Sequence, residues 1–273
     1  MARSLSIAMG VARRSTRKLR RSPVPGLPPV LIPLFMFAAF AGALSGLANT
    51  KSFTYYDFTA FQFVFVYYMA SMLAGAFSAF EISGDFESGM GNRLMLAAPQ
   101  RMALVGGYLI FAVGRFLLGS AVVWGVALLA GMPVRGDPLQ IAAFIGLALL
   151  LSLATTLYGA GIALRLQSIA AGTLILIPIF MTLFTAPVFV PRQQIDGWLR
   201  TVADINPLTP AIEAGRGFMA GEPVSVAVAF GVTGGMVIVF AFWAYRGMVK
   251  AERGPGGGRG GGRRGGGGRR GGG

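Results

Sequence analysis

The sequence predicts an all-α integral membrane fold with six transmembrane helices. Three observations carry that prediction. Six apolar stretches divide the chain, at about 28–48, 58–80, 104–130, 138–164, 168–190 and 223–245. Each is long enough to cross a bilayer, because a helix rises ~1.5 Å per residue and the hydrocarbon core is ~30 Å thick. Charged residues are 12% of the chain and hydrophobic ones 54%, with a mean hydropathy of +0.65. A soluble domain carries about 25% charge, so this chain has too little to cover a water-facing surface. Basic residues also crowd both ends, and an even number of spans returns both ends to one side.

The chain opens with a basic segment, residues 1–22. Leu5, Ile7, Ala8, Met9, Val11 and Ala12 mix with Arg13, Arg14, Arg17 and Lys18, and Pro23 and Pro25 follow. Apolar residues beside a basic flank suit a helix lying in the headgroup layer, stopped by the prolines. A disordered basic anchor is the competing reading. The first apolar run sits behind this leader and is too long for a removable signal peptide.

Between the second and third spans lies an inner loop that opens with Glu81, Asp85 and Glu87 and turns apolar from Arg93 to Ala98, before Pro99. An acidic start and a later basic residue fit a short helix dipole. Leu94, Met95 and Leu96 would be out of place in a solvated loop, so they ask for a surface to pack on. The third span holds Arg115, which must snorkel or pair; Glu81 is the candidate partner. It reads either as a structural ion pair or as a contact to an anionic substrate or lipid.

The connection after the fifth span, 192–222, is about thirty residues and mixed in character. Asn206-Pro207 signals a turn or helix start, and Gly215 and Gly217 signal stops. Two short helices dipping back toward the membrane, or a plain outer loop, both fit. Tyr55, Tyr56, Trp243 and Tyr245 sit where headgroup-level aromatics are expected. The last residues, 251–273, are Gly- and Arg-rich and read as a disordered tail at the membrane surface. They hold no aromatic residue to stack on bases, so no specific nucleic-acid partner is expected.

Charge sets the orientation. With both ends inside, 18 Lys and Arg residues fall on the cytoplasmic side. Five (Lys51, Arg135, Arg192, Arg200 and Arg216) fall outside. Cysteine and histidine are absent, which excludes disulfides, thiolate chemistry and His-based metal sites. No GxxxxGK[ST] phosphate loop is present, so ATP is not bound in that way, and no cofactor is expected. No Asp or Glu lies within a span, which counts against an ion-coupled secondary transporter, the alternative reading, alongside another kind of polytopic protein. An embedded enzyme would need clustered polar groups at a membrane face, and without His or Cys the options are few.

Two stretches resemble one known family. The first is Phe86-Glu87-Ser88-Gly89 through Arg93-Leu94 to Ala98-Pro99. The second is Asn206-Pro207-Leu208-Thr209 through Glu213-Ala214 to Arg216-Gly217. With six spans, they make residues up to about 250 similar to the membrane subunit of ABC type-2 exporters of the daunorubicin or multidrug kind. Gly84, Gly89 and Gly91 depart from the family's more charged inner loop, and the tail is no part of its pattern. The resemblance implies an N-terminal interfacial helix, a six-span permease domain at 23–250, a cytoplasmic coupling helix and outer re-entrant helices. It implies a separate ABC ATPase subunit and a second permease copy, as homodimer or heterodimer, in the cell membrane. It gives coupling to Asp85, Glu87, Gly89, Arg93, Leu94 and Met95, and an outer motif to Asn206, Pro207, Glu213 and Arg216. The chain itself is then not an enzyme, and the substrate is amphipathic, lipid-like or a glycan.

Overall fold

The computed structural model describes residues 2–43, 55–97 and 101–252. Among them there are ten α-helices and no strand. In chain order they are α1 (Ala2–Arg21), α2 (Pro28–Ala43), α3 (Phe58–Glu87), α4 (Met90–Ala97), α5 (Met102–Leu129), α6 (Pro138–Leu166), α7 (Gly172–Phe184), α8 (Trp198–Ile205), α9 (Thr209–Ala220) and α10 (Val226–Glu252). Helices α3, α5, α6 and α10 are long and apolar enough to cross a membrane.

Helix α3 is the axis. In its most apolar stretch 89% of residues are buried, against 11% in α10. It starts on an Asp57 cap, whose carboxylate accepts from the Ala60 amide at 2.8 Å. Helix α6 runs parallel to it, packed so tightly that a Cβ on Gly75 would overlap Thr155 Oγ1 and the Ser152 carbonyl. Gly159 lies as closely against Ala79. Small residues at such a crossing let two backbones approach in the way membrane helices favour. The entry of α6 is fixed by an Asp137–Gln140 capping box with Pro138 in the first turn.

Helix α5 runs antiparallel to α3, as two side-chain bonds show. Tyr67 meets Ser120 at 2.5 Å, and Tyr108 donates to Asp85 at 2.6 Å. Helices α1 and α2, joined by a 3-10 turn at Val24–Gly26, also run antiparallel to α3, with Arg14 beside Asp85, Lys18 beside Glu81 and Phe37 beside Phe63. The core between these helices is aromatic. Phe144 of α6 stacks at 4.8 Å on Tyr67 and 5.1 Å on Tyr68, and Trp124 of α5 meets Phe63 edge-on at 4.9 Å.

Three expectations are corrected here. The acidic residues Glu81, Asp85 and Glu87 are not in a loop but in the last turns of α3, because Lys18 and Arg14 pair with the first two and let the helix continue. The short helix after them starts at Met90 and has none of these acids in its first turn, so the expected acidic start to its dipole is absent. Glu81 is not the hydrogen-bond partner of Arg115: it binds Lys18 at 2.8 Å, and Arg115 donates to the Pro25 carbonyl.

The first and fifth apolar runs give shorter helices than their length suggests. Helix α2 is described for 16 residues, and 44–48 lie outside the described residues. The fifth run follows left-handed Gln167 at the end of α6 and opens on a 3-10 turn at Ile169–Ala171 before α7, which then carries Pro178 inside it. Pro99 and the tail from 253 also lie outside the described residues.

Candidate coupling site and outer helical cap

The charged cluster at the α4 end is built by three helices. Asp85 on α3 is 3% exposed. It accepts from Arg14 Nη1 at 3.2 Å, from Arg14 Nη2, and from the Tyr108 hydroxyl at 2.6 Å, with Lys18 at 3.7 Å. Burial disfavours the charged Arg14 side chain. The Asp85 hydrogen bond and charge outweigh that, so its pKa lies above the ordinary arginine value. This carboxylate is therefore engaged within the chain, where it ties α1 to α3 and α5.

Past the cluster, Gly89 turns the chain with φ +75°, a conformation glycine adopts without strain, and α4 begins. Glu87 is exposed, and its carboxylate accepts from the Ile169 amide, holding the α6–α7 connector against the end of α3. Leu94 and Met95 are half-buried against the chain's own core. The seam over which Leu94 closes, among Ile82, Phe86, Leu104, Val105, Leu164 and Met248, keeps a space of about 10 Å³. That is no more than one water needs. The surface these two residues ask for is thus in their own chain. Among the residues α4 turns outward are Asn92, Arg93 and Leu96, and Leu96 is 88% exposed. The sequence marks Leu94, Met95 and Leu96 alike as apolar residues in need of a surface, and the family resemblance gives coupling only to the first two; helix phase separates Leu96 from them.

The opposite end is closed by α8 and α9. Asn206 donates to the Thr182 carbonyl at 2.7 Å and to Thr185 Oγ1 at 2.9 Å, while its own oxygen accepts from the Leu208 amide at 2.8 Å. Pro207 completes that turn between α8 and α9. Arg216 is 7% exposed, and its guanidinium lies 3.4 Å from the Phe61 ring centre. It donates to the carbonyls of Pro187 at 2.7 Å and Val188 at 3.0 Å. Those carbonyls follow α7 in non-helical backbone, where buried acceptors need a partner. Arg192 links Asp204 at 2.6 Å and Glu213 at 3.6 Å on the surface, pairs of small energetic weight.

Two residues expected as headgroup-level aromatics do more specific work. Tyr55 donates to the Arg216 carbonyl at 2.7 Å, and Tyr56 to the Met219 carbonyl at 2.9 Å, so both fasten α9. No sequence pattern marks them for that. A cavity of about 540 Å³ opens beside them, lined by Tyr55, Arg192, Arg200, Glu213, Arg216 and Glu222 among others.

A helical bundle this apolar, with capped ends and no acid between Phe58 and Phe80 of its central helix α3, defines a multi-pass membrane protein. The chain belongs to the ABC-2 type transporter family, which matches residues 9–220. It is a membrane transport permease of that family. A relative is the daunorubicin resistance ABC transporter permease protein DrrB1 of Streptomyces coeruleorubidus. It is 23% identical over 235 residues, covering 84% of this chain and 81% of that protein.

Proposed function

We infer that the chain is the membrane-spanning half of an ATP-driven exporter. It moves an amphipathic, lipid-like or glycan substrate outward when a separate ATPase subunit acts on α4. The relative's role in daunorubicin resistance supports a drug-like amphiphile as the first substrate to try. Residues 23–250 then form one permease domain with six spans, α2 and α7 supplying the first and fifth. A second copy completes the path. Helices α8 and α9 dip in from outside, a reading supported by Trp198 and Ile205, which α8 exposes at 75% and 78%.

The observation that carries the coupling assignment is α4 itself. It presents Arg93 and a nearly fully exposed Leu96 beyond the bundle end, on a chain with no phosphate loop of its own. Leu94 and Met95 seat the helix, Gly89 sets its angle, Glu87 relays its position to the α6–α7 connector, and Asp85 fixes α1 behind it. Leu96→Asp should leave abundance unchanged and weaken capture of the ATPase subunit at least roughly tenfold, the loss expected of one buried apolar anchor. Leu94→Asp should instead lower abundance, because its carboxylate would be buried in the chain's own core. ATP hydrolysis by the purified chain should stay at background until the partner is added. Full capture and normal export by Leu96→Asp would remove α4 as the coupling element.

Orientation follows from the distribution of basic residues, 18 against 5. A reporter fused at the C-terminus should read cytoplasmic, and a tag beside Asp137 should be labelled by a membrane-impermeant reagent from outside. Labelling of the C-terminus from outside would mean an odd number of spans.

A further inference from the structure

Arg115 on α5 is 7% exposed and only partly satisfied. Nη2 donates to the Pro25 carbonyl, while Nε and Nη1 have no hydrogen-bond partner among the described residues. The Phe77 and Phe111 rings lie 5.8 and 5.9 Å from the guanidinium carbon. They offset part of its charge but leave those donors unmet. The carboxylates of Glu81 and Asp85 are already held by Lys18 and Arg14.

Beside Arg115 is a cavity of about 160 Å³, lined mostly by apolar groups of Leu19, Pro29, Val30, Phe116, Leu118 and Val122. One water needs ~10–15 Å³, so the space holds far more. Ser120, the one hydroxyl on its wall, is engaged with Tyr67. A space this apolar, with one cation carrying spare donors, suits a ligand that is apolar with one anionic group. Leu31, Leu118 and Val122 expose apolar surface at 53%, 70% and 47%, so the route in lies on the lipid-facing side of the bundle.

We propose that this cavity is a phospholipid site: a phosphate oxygen of one lipid accepts hydrogen bonds from Arg115, and the adjoining methylenes lie along Val30, Leu118 and Val122. The site rests on the membrane placement of the bundle proposed above, and it opens to the leaflet on the α4 side.

The test uses the full chain, extracted in mild detergent, delipidated and titrated with phosphatidylglycerol, with diacylglycerol lacking the phosphate, or with inorganic phosphate. Native mass spectrometry counts what stays bound. One phosphatidylglycerol per protomer should be retained, and neither of the other probes. Arg115→Gln should weaken retention roughly tenfold or more, the loss expected of a charge-assisted hydrogen bond. Leu118→Trp, at an exposed position, should narrow the mouth and weaken retention without touching Arg115. It decides the matter if Arg115→Gln does not fold. Retention unchanged by either folded variant would overturn the proposal. Binding of inorganic phosphate alone, or of diacylglycerol as tightly as phosphatidylglycerol, would also overturn it. The count is made without an ATPase subunit, so failure here leaves the exporter reading standing.

Discussion

Asp85→Ala should detach the first helix from the bundle. The carboxylate is the shared acceptor for Arg14 and Tyr108, so its loss leaves a buried phenol and a half-buried guanidinium with only the long 3.4 Å contact between them. Removing one member of a fully buried pair costs about 3–5 kcal/mol. The Arg14 side chain is 30% exposed, so water recovers part of that and about 2–3 kcal/mol is expected. Trypsin added to detergent-solubilised protein should cut after Arg13 and Arg17 faster in the variant. Asp85→Asn, which keeps an acceptor for Tyr108, should fall between. Cleavage rates and melting temperature equal to the unchanged protein would show that α1 is held by its apolar face alone.

Gly75→Leu should abolish the folded protein. The new side chain would have to occupy the place of the Ser152 carbonyl and Thr155 Oγ1, and backbone cannot rotate aside as a side chain can. The helices α3 and α6 would have to part along a crossing that runs the length of the bundle. The cost should exceed the ~3 kcal/mol usual for overpacking, because the obstruction is backbone, and so take up most of a folded protein's stability of about 5–15 kcal/mol. Gly114→Ala is the matched control. A Cβ there meets nothing within 4 Å, and alanine suits a helix interior better than glycine. Recovery of monodisperse protein after detergent extraction should collapse for Gly75→Leu and hold for Gly114→Ala. Equal recovery of both would mean that the α3–α6 contact is looser than described.

The long helices were legible because a bilayer demands a fixed length of apolar chain, and α3, α5, α6 and α10 meet that demand without interruption. The leader helix was legible from Pro23 and Pro25, and the turn between the outer pair from Asn206-Pro207; Gly215 and Gly217, read as stops, lie inside α9, which ends instead on left-handed Gly221. Partner choice was hidden. Nothing in the local pattern of Glu81 and Asp85 says that they face Lys18 and Arg14, some sixty to seventy residues earlier, and without that pairing they read as a solvated loop. Arg216 was read as one of the outer cations, yet it lies inside, because the carbonyls it satisfies come from irregular backbone that only the fold brings near. Leu94 and Leu96 differ by about 200° on a helix, so a small error of phase reverses which one faces out.

The long sequence separation of the Arg14 contacts has a consequence for synthesis. Arg14 leaves the ribosome 94 residues ahead of Tyr108 and 71 ahead of Asp85. At about 5–20 residues per second, the wait is roughly 4–20 s. Until Glu81 and Asp85 are made, α1 lacks the carboxylates it finally pairs with, and an anionic membrane surface can serve as counter-charge. On that account the leader docks on α3 and α5 late, and its basic face has to be soluble or membrane-bound on its own until then.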